Sequence, residues 1–149
     1  MQIPEEIRKC VAFAGVRTDN GLQLGGTIFF VSVPVEGLEP GAGYIYAVTA
    51  KHVIDRARSV SVDGQLMVRV NTKDGPAVNL ESYISDWKMH PDEDSVDVAV
   101  LQVDLPLSIF DIRYVPMAMA VTDQNIEQEV IGVGDDVFLT GLFVNHYGN

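Results

Sequence analysis

The sequence predicts an all-β fold, a small antiparallel barrel or sandwich, on three observations. Short runs rich in β-branched and aromatic residues recur through roughly the first hundred of its 149 positions. Each run is bounded by Gly, Pro, Asn or Asp, the residues that supply turn geometry. Helical periodicity is scarce.

The strands predicted in order are residues 10–16, 27–33, 44–49, 66–71, 77–84 and 97–103. The first (CVAFAGV) and second (TIFFVSV) are apolar nearly throughout, as strands near a core are. EGLEPGAG separates the second from the third, YIYAVT, and VDG precedes the fourth. KDGP separates the fourth from the fifth, AVNLESYI. The sixth is DVAVLQV, in which Asp97 precedes the run Val98–Val103. HVIDRAR, after the third strand, has room for one helical turn or two. From Asp104 to Gly134 the alternation is lost and two prolines intervene, so this stretch reads as an extended connector. GDDVFLTGLFV then starts a new strand-like run. A strand that opens a sheet without successors cannot pair both edges within these residues.

Charge restricts the function classes. With 21 acidic against 10 basic side chains, the formal charge is −11. Nucleic-acid binding requires a basic footprint that displaces counterions from phosphates, and an anionic membrane surface selects for the same footprint. Neither class of partner is expected. MQIPEEIRKC carries two glutamates and no apolar secretory core, and no run reaches the roughly 18 apolar residues of a spanning helix. Cys10, the single cysteine, has no internal disulfide partner and precedes an apolar run, where it reads as a small buried hydrophobe. Cytoplasmic residence is the expectation.

YIYAVTAKHVID places His52, one of three histidines, where a buried strand ends. There a rigid scaffold holds the ring while leaving it free to face a cleft. An imidazole titrates near pH 6.5 and suits a general base, provided a buried carboxylate fixes its tautomer and stabilises the imidazolium. Asp97 is the candidate. Of the acidic group Asp92, Glu93, Asp94 and Asp97, it alone abuts a core strand.

VTAKHVID resembles the histidine motif of the chymotrypsin-like (trypsin-like) serine peptidases, a strand ending in T-A-x-H. WKMHPDEDSVDVAVLQV resembles their aspartate segment, a loop leading into D-I/V-A-V/L-L. GGTIFFV is similar to the G-S/T-x-F-x-I/V strand of the first barrel, and GDDVFLTGLF to the G-D/E-x-V-x-x-x-G entry of the second. His52 and Asp97 stand 45 positions apart, and the four motifs keep the family's order. The match is closest to divergent bacterial-type members without disulfides. The resemblance implies a first six-stranded antiparallel barrel over 1–104, an inter-barrel connector over 105–134, and the first strand of a second barrel over 135–149. It implies endopeptidase activity, with His52 as general base and Asp97 as its orienting carboxylate, a protein or peptide substrate and no cofactor.

The family's nucleophile belongs to a G-x-S-G-G/S/A-P loop of the second barrel. The serines here stand at 32, 59, 61, 82, 85, 95 and 108, none beside a glycine. Cys10 precedes the histidine and lies at the wrong end to substitute. The expectation is therefore an N-terminal portion of a peptidase, without the serine, the oxyanion loop or the pocket that reads the substrate side chain. The alternative is a non-catalytic pseudo-peptidase that binds a protein. The run from Val137 to Val144 (VFLTGLFV) carries no charge and is expected to pair with a C-terminal fragment or a second copy.

Other polar groups read more plainly. His90 is expected on a surface loop and His146 exposed near the end. A metal site on His52, His90 and Asp97 matches no compact ligand spacing. Asp92, Glu93 and Asp94 lack the spaced oxygens and glycine of a calcium loop, so they read as a solvated turn. The glycines of QLGGT and EGLEPGAG open no phosphate-cradling helix and read as hairpin and strand-entry residues.

Overall fold

The computed structural model describes residues 5–37, 43–128 and 131–141. In chain order these residues form helix α1 (Glu5–Arg8), strands β1 (Val11–Thr18), β2 (Gly21–Pro34) and β3 (Gly43–Thr49), and helix α2 (Lys51–Val60). Strands β4 (Gln65–Val70), β5 (Val78–Tyr83), β6 (Lys88–Met89), β7 (Ala99–Val103) and β8 (Val115–Pro116) follow, with helix α3 (Asp123–Gln128) last. The fold is mostly β. Among the described residues no helix is long and apolar enough to cross a membrane.

One eight-stranded sheet, seven of its strands in the order β5-β4-β1-β2-β3-β7-β6, curls into a half-barrel. Every neighbour on that path is antiparallel, while β8 adds a short parallel pairing to β2. β1 and β2 are joined through Asp19 and Asn20, and Gly21 follows at φ 98°, a conformation that favours glycine. Their register shifts between Ala14 and Gly15, where a side chain at Gly15 would run into Leu24. This bulge bends the hairpin and increases its twist.

Inside the curl Phe30, Ile28, Ile54 and Leu66 are fully buried, with Trp87 and Ile84 packed beside them. The Trp87 indole N–H donates to Ser82 Oγ at 3.1 Å, and Ser82 in turn donates to the Leu66 carbonyl. The large apolar ring therefore enters the core with its polar edge satisfied. Helix α2 closes one side by burying Ile54 and Ala57, three residues apart on one face.

The six predicted strands are present, and β2 starts at Gly21, six residues before position 27. The strand predicted over 77–84 is β5, and a 3₁₀ turn at Ile84–Asp86 separates it from the short β6, which is not among the predicted strands. The turn rotates Ile84 and Trp87 into the core, an apolar gain that outweighs a few ladder bonds. Consequently the hydrogen-bonded path is open, although both its ends, β5 and β6, are carried by residues 78–89. The last strand starts at Ala99 and leaves Asp97 outside the ladder. HVIDRAR belongs to a helix of ten residues, longer than one or two turns.

In the stretch predicted as a connector, the described residues 105–128 contain β8, a 3₁₀ turn at Met117–Met119 and α3. Thr122 and Asn125 cap α3 reciprocally. Asn125 Oδ1 accepts from the Thr122 N–H at 3.0 Å, and Thr122 Oγ1 accepts from the Asn125 N–H at 3.3 Å. In the predicted strand at 137–144, residues 137–141 make no strand pairing, and Val137 and Leu139 are 91% and 98% exposed. Residues 142–144 and His146 lie outside the described residues.

Candidate active site

Strand register brings His52 and Asp97 together. The β3–β7 ladder ends at the pair Thr49–Ala99. Two residues after Thr49 stands Lys51, the first residue of α2, and two residues before Ala99 stands Asp97. The end of β3 is anchored by Thr49, whose buried hydroxyl donates to the Thr27 carbonyl of β2 at 2.9 Å. Position and direction of α2 are thus set by the sheet.

The first N–H groups of a helix have no partner within it. The residue before α2 is Ala50, which makes no side-chain cap. Asp97 fills that role from 45 positions away: its Oδ1 accepts the His52 backbone N–H at 2.8 Å. Its Oδ2 lies 2.6 Å from His52 Nδ1. One carboxylate therefore holds the same residue by its backbone and by its ring.

These contacts decide the protonation pattern. The His52 backbone N–H, and after it the His52 ring, hold the Asp97 carboxyl below the usual carboxylate range, with Lys51 adding a smaller attraction. An ionised carboxylate can only accept, so Nδ1 carries the proton that lies between the two groups. In the neutral ring the lone pair then sits on Nε2. Among the described residues the His52 backbone N–H and ring Nδ1 both meet Asp97, and Nε2 has no hydrogen-bond partner. The His52 side chain is 74% exposed and that of Asp97 53%. The expected burial of the carboxylate is not found; Asp97 is half open to solvent.

The loop before Asp97 is tied down by its own side chains. His90 Nδ1 accepts the backbone N–H groups of Asp92 and Glu93 at 3.3 and 2.9 Å, and Ser95 Oγ donates to Glu93 Oε1. His90 is thus an exposed loop residue that organises its own turn. Lys51 Nζ reaches Asp94 at 3.0 Å and Asp55 at 3.5 Å, and its pairing with Asp94 raises its pKa. Lys51 is not among the residues singled out from the sequence, although a cation between a histidine motif and an acidic loop is a readable signal.

Five of the seven serines donate side-chain hydrogen bonds elsewhere. Ser82 bonds the Leu66 carbonyl, Ser59 the Arg56 carbonyl and Ser61 the Asp63 carboxylate, and none of the described serines is hydrogen-bonded to His52. Cys10 is buried, its thiol pushed up by that burial, and it points its Sγ–H at the Glu6 carbonyl at 3.4 Å.

No family model, curated protein or solved structure matches this chain. Function must be argued from the site itself. What the geometry offers is an imidazole with a fixed tautomer, an exposed Nε2 able to take a proton, and a carboxylate that stabilises the resulting cation.

Proposed function

We propose that the chain is the histidine- and aspartate-bearing part of a trypsin-like serine endopeptidase. One observation carries the reading: Asp97 accepts both the backbone N–H and the ring Nδ1–H of His52, an arrangement that fixes the base where a nucleophile can meet it. On this reading the curled sheet is a six-stranded barrel in which residues 78–89 count as one strand, pairing β4 with its first half and β7 with its second.

The proposed reaction begins with a serine Oγ attacking the scissile carbonyl carbon while its proton moves to His52 Nε2. Asp97 stabilises the imidazolium. His52 returns the proton to the departing amine as the C–N bond breaks, leaving an acyl-enzyme, and water then repeats the sequence and releases the acid. The serine and the oxyanion donors are assigned to polypeptide beyond these 149 residues, because none of the serines present stands beside a glycine or is hydrogen-bonded to His52. The apolar side chains exposed along 117–139, Met119, Val121, Val133 and Leu139 among them, are the surface such polypeptide would cover.

The test is covalent. A fluorophosphonate probe applied to the product of the intact reading frame should label one serine lying after residue 149, and His52→Ala should abolish labelling. An unlabelled product whose His52–Asp97 pair is intact by NMR would reject the peptidase reading and favour a protein-binding module.

A further inference from the structure

On a part of the surface that shares no residue with the His52–Asp97 site lies a cleft of about 590 Å³ between α1, the β1–β2 hairpin, β4 and the 111–112 segment. That volume falls within the usual range for small-ligand sites, roughly 300–1,000 Å³. Val11, Phe13, Leu22 and Leu24 supply apolar wall, and Leu22 is 45% exposed. Arg8, Lys9 and Arg69 supply cations.

This charge runs against the rest of the molecule. In a chain of net charge −11 with ten basic side chains, three line this one cleft. Lys73 and Arg113, outside the lining, also attract Asp111, less than its direct partner Lys9 does. The two carboxylates of the lining are already engaged, Glu5 with Arg8 at 3.4 Å and Asp111 with Lys9 at 2.8 Å. Arg69 donates to the Asn79 side-chain oxygen at 3.3 Å and, among the described residues, forms no ion pair with a carboxylate. A planar guanidinium beside apolar wall fits a carboxylate that carries an apolar body.

We propose that this cleft binds an apolar carboxylate, a fatty acid or the C-terminal residue of a peptide, with Arg69 on the carboxylate and Phe13, Leu22 and Leu24 along the apolar part. The site is independent of the peptidase reading.

Calorimetric titration of the 149-residue chain with octanoate and with octanol tests it. Octanoate should bind, and octanol should bind at least about tenfold more weakly, the difference expected of one lost charge-assisted contact. Arg69→Gln should weaken octanoate binding by a similar factor and Arg69→Lys should restore part of it. Leu22→Asn, at an exposed hairpin position, should weaken binding while leaving the amide NMR spectrum folded. Leucine-terminated peptides, as free acid and as amide, separate the sources: an acid-dependent signal matching or exceeding octanoate assigns the site to peptide termini, and a weaker one to fatty acids. No binding of octanoate, equal binding of octanol, or an unchanged affinity in Arg69→Gln would overturn the proposal.

Discussion

Gly26 should be the position through which the sheet controls the helix that carries His52. A Cβ added there would lie 2.7 Å from one Val53 methyl and 3.3 Å from both the other methyl and the Ala14 Cβ. Carbon atoms in good contact sit about 3.5–4.0 Å apart, so the nearest methyl would have to retreat by roughly 1 Å. Val53 cannot swing aside easily, because a β-branched side chain on a helix has one strongly preferred rotamer. Overpacking of this kind costs about 1–3 kcal/mol. Glycine-to-alanine replacement also restricts the unfolded chain, which offsets about 0.4–1 kcal/mol. Gly26→Ala should therefore destabilise the chain by about 1–2 kcal/mol. Gly25 is the internal control, since a Cβ there meets nothing within 4 Å. Gly25→Ala should be neutral or slightly stabilising.

Urea unfolding of both variants decides the matter, with an unchanged slope confirming that the midpoint shift reports stability. Val53→Ala removes the clashing methyls, so adding it to Gly26→Ala should recover part of the loss, and the double-mutant cycle should show a coupling above about 0.5 kcal/mol. Because Val53 follows His52 directly, Gly26→Ala should also broaden or shift the low-field His52 ring N–H resonance. Equal midpoints for Gly26→Ala, Gly25→Ala and the parent would refute the packing argument and with it the route from sheet to site.

Other outcomes are expected. Asp97 has its carboxyl held below the ordinary value, so its contribution is complete above the unfolded pKa of about 3.9 and disappears as pH falls through the folded value; Asp97→Asn should leave a urea midpoint that falls less between pH 5 and pH 3 than the parent's, and an identical fall would remove the linkage. The purified 149-residue chain should not hydrolyse casein, and turnover that disappears in His52→Ala would contradict the assignment of serine and oxyanion donors to other polypeptide. Val137 and Leu139, nearly fully exposed, should drive self-association, because burying each is worth about 1.5–3 kcal/mol. Sedimentation should then show concentration-dependent mass that Val137→Asp with Leu139→Asp eliminates, and a parent chain that stays monomeric throughout would disprove this.

What the sequence disclosed, and what it hid, follows from the range of the forces involved. Strand identity is local, and β1–β5 and β7 were readable from apolar runs and turn residues because each run decides its own burial. Strand β6, beyond the turn that follows β5, was not readable. It depends on Trp87 finding Ser82 and a core that distant strands build. Helix α3 was legible in principle through the Thr122–Asn125 pair, whose side chains cap each other within one turn. Helix α2 was harder, since Ala50 offers no cap and the acceptor arrives from 45 positions away.

That distant cap also explains why His52 and Asp97 can be read as a pair from the chain alone, yet not their full relationship. The motifs suggested a carboxylate serving an imidazole. The structure adds that the same carboxylate serves the helix: leaving Asp97 off the β7 ladder is what frees it to meet the unpaired N–H at the start of α2. A negative charge is favoured at that helix end whether or not the ring is present. His52→Ala should therefore leave Asp97 in place and its backbone bond intact, whereas Asp97→Ala removes both the ring's partner and the helix cap. The two substitutions are not equivalent. A stability loss confined to Asp97→Ala, with His52→Ala near the parent, is the signature of a carboxylate that builds the site as well as tuning it.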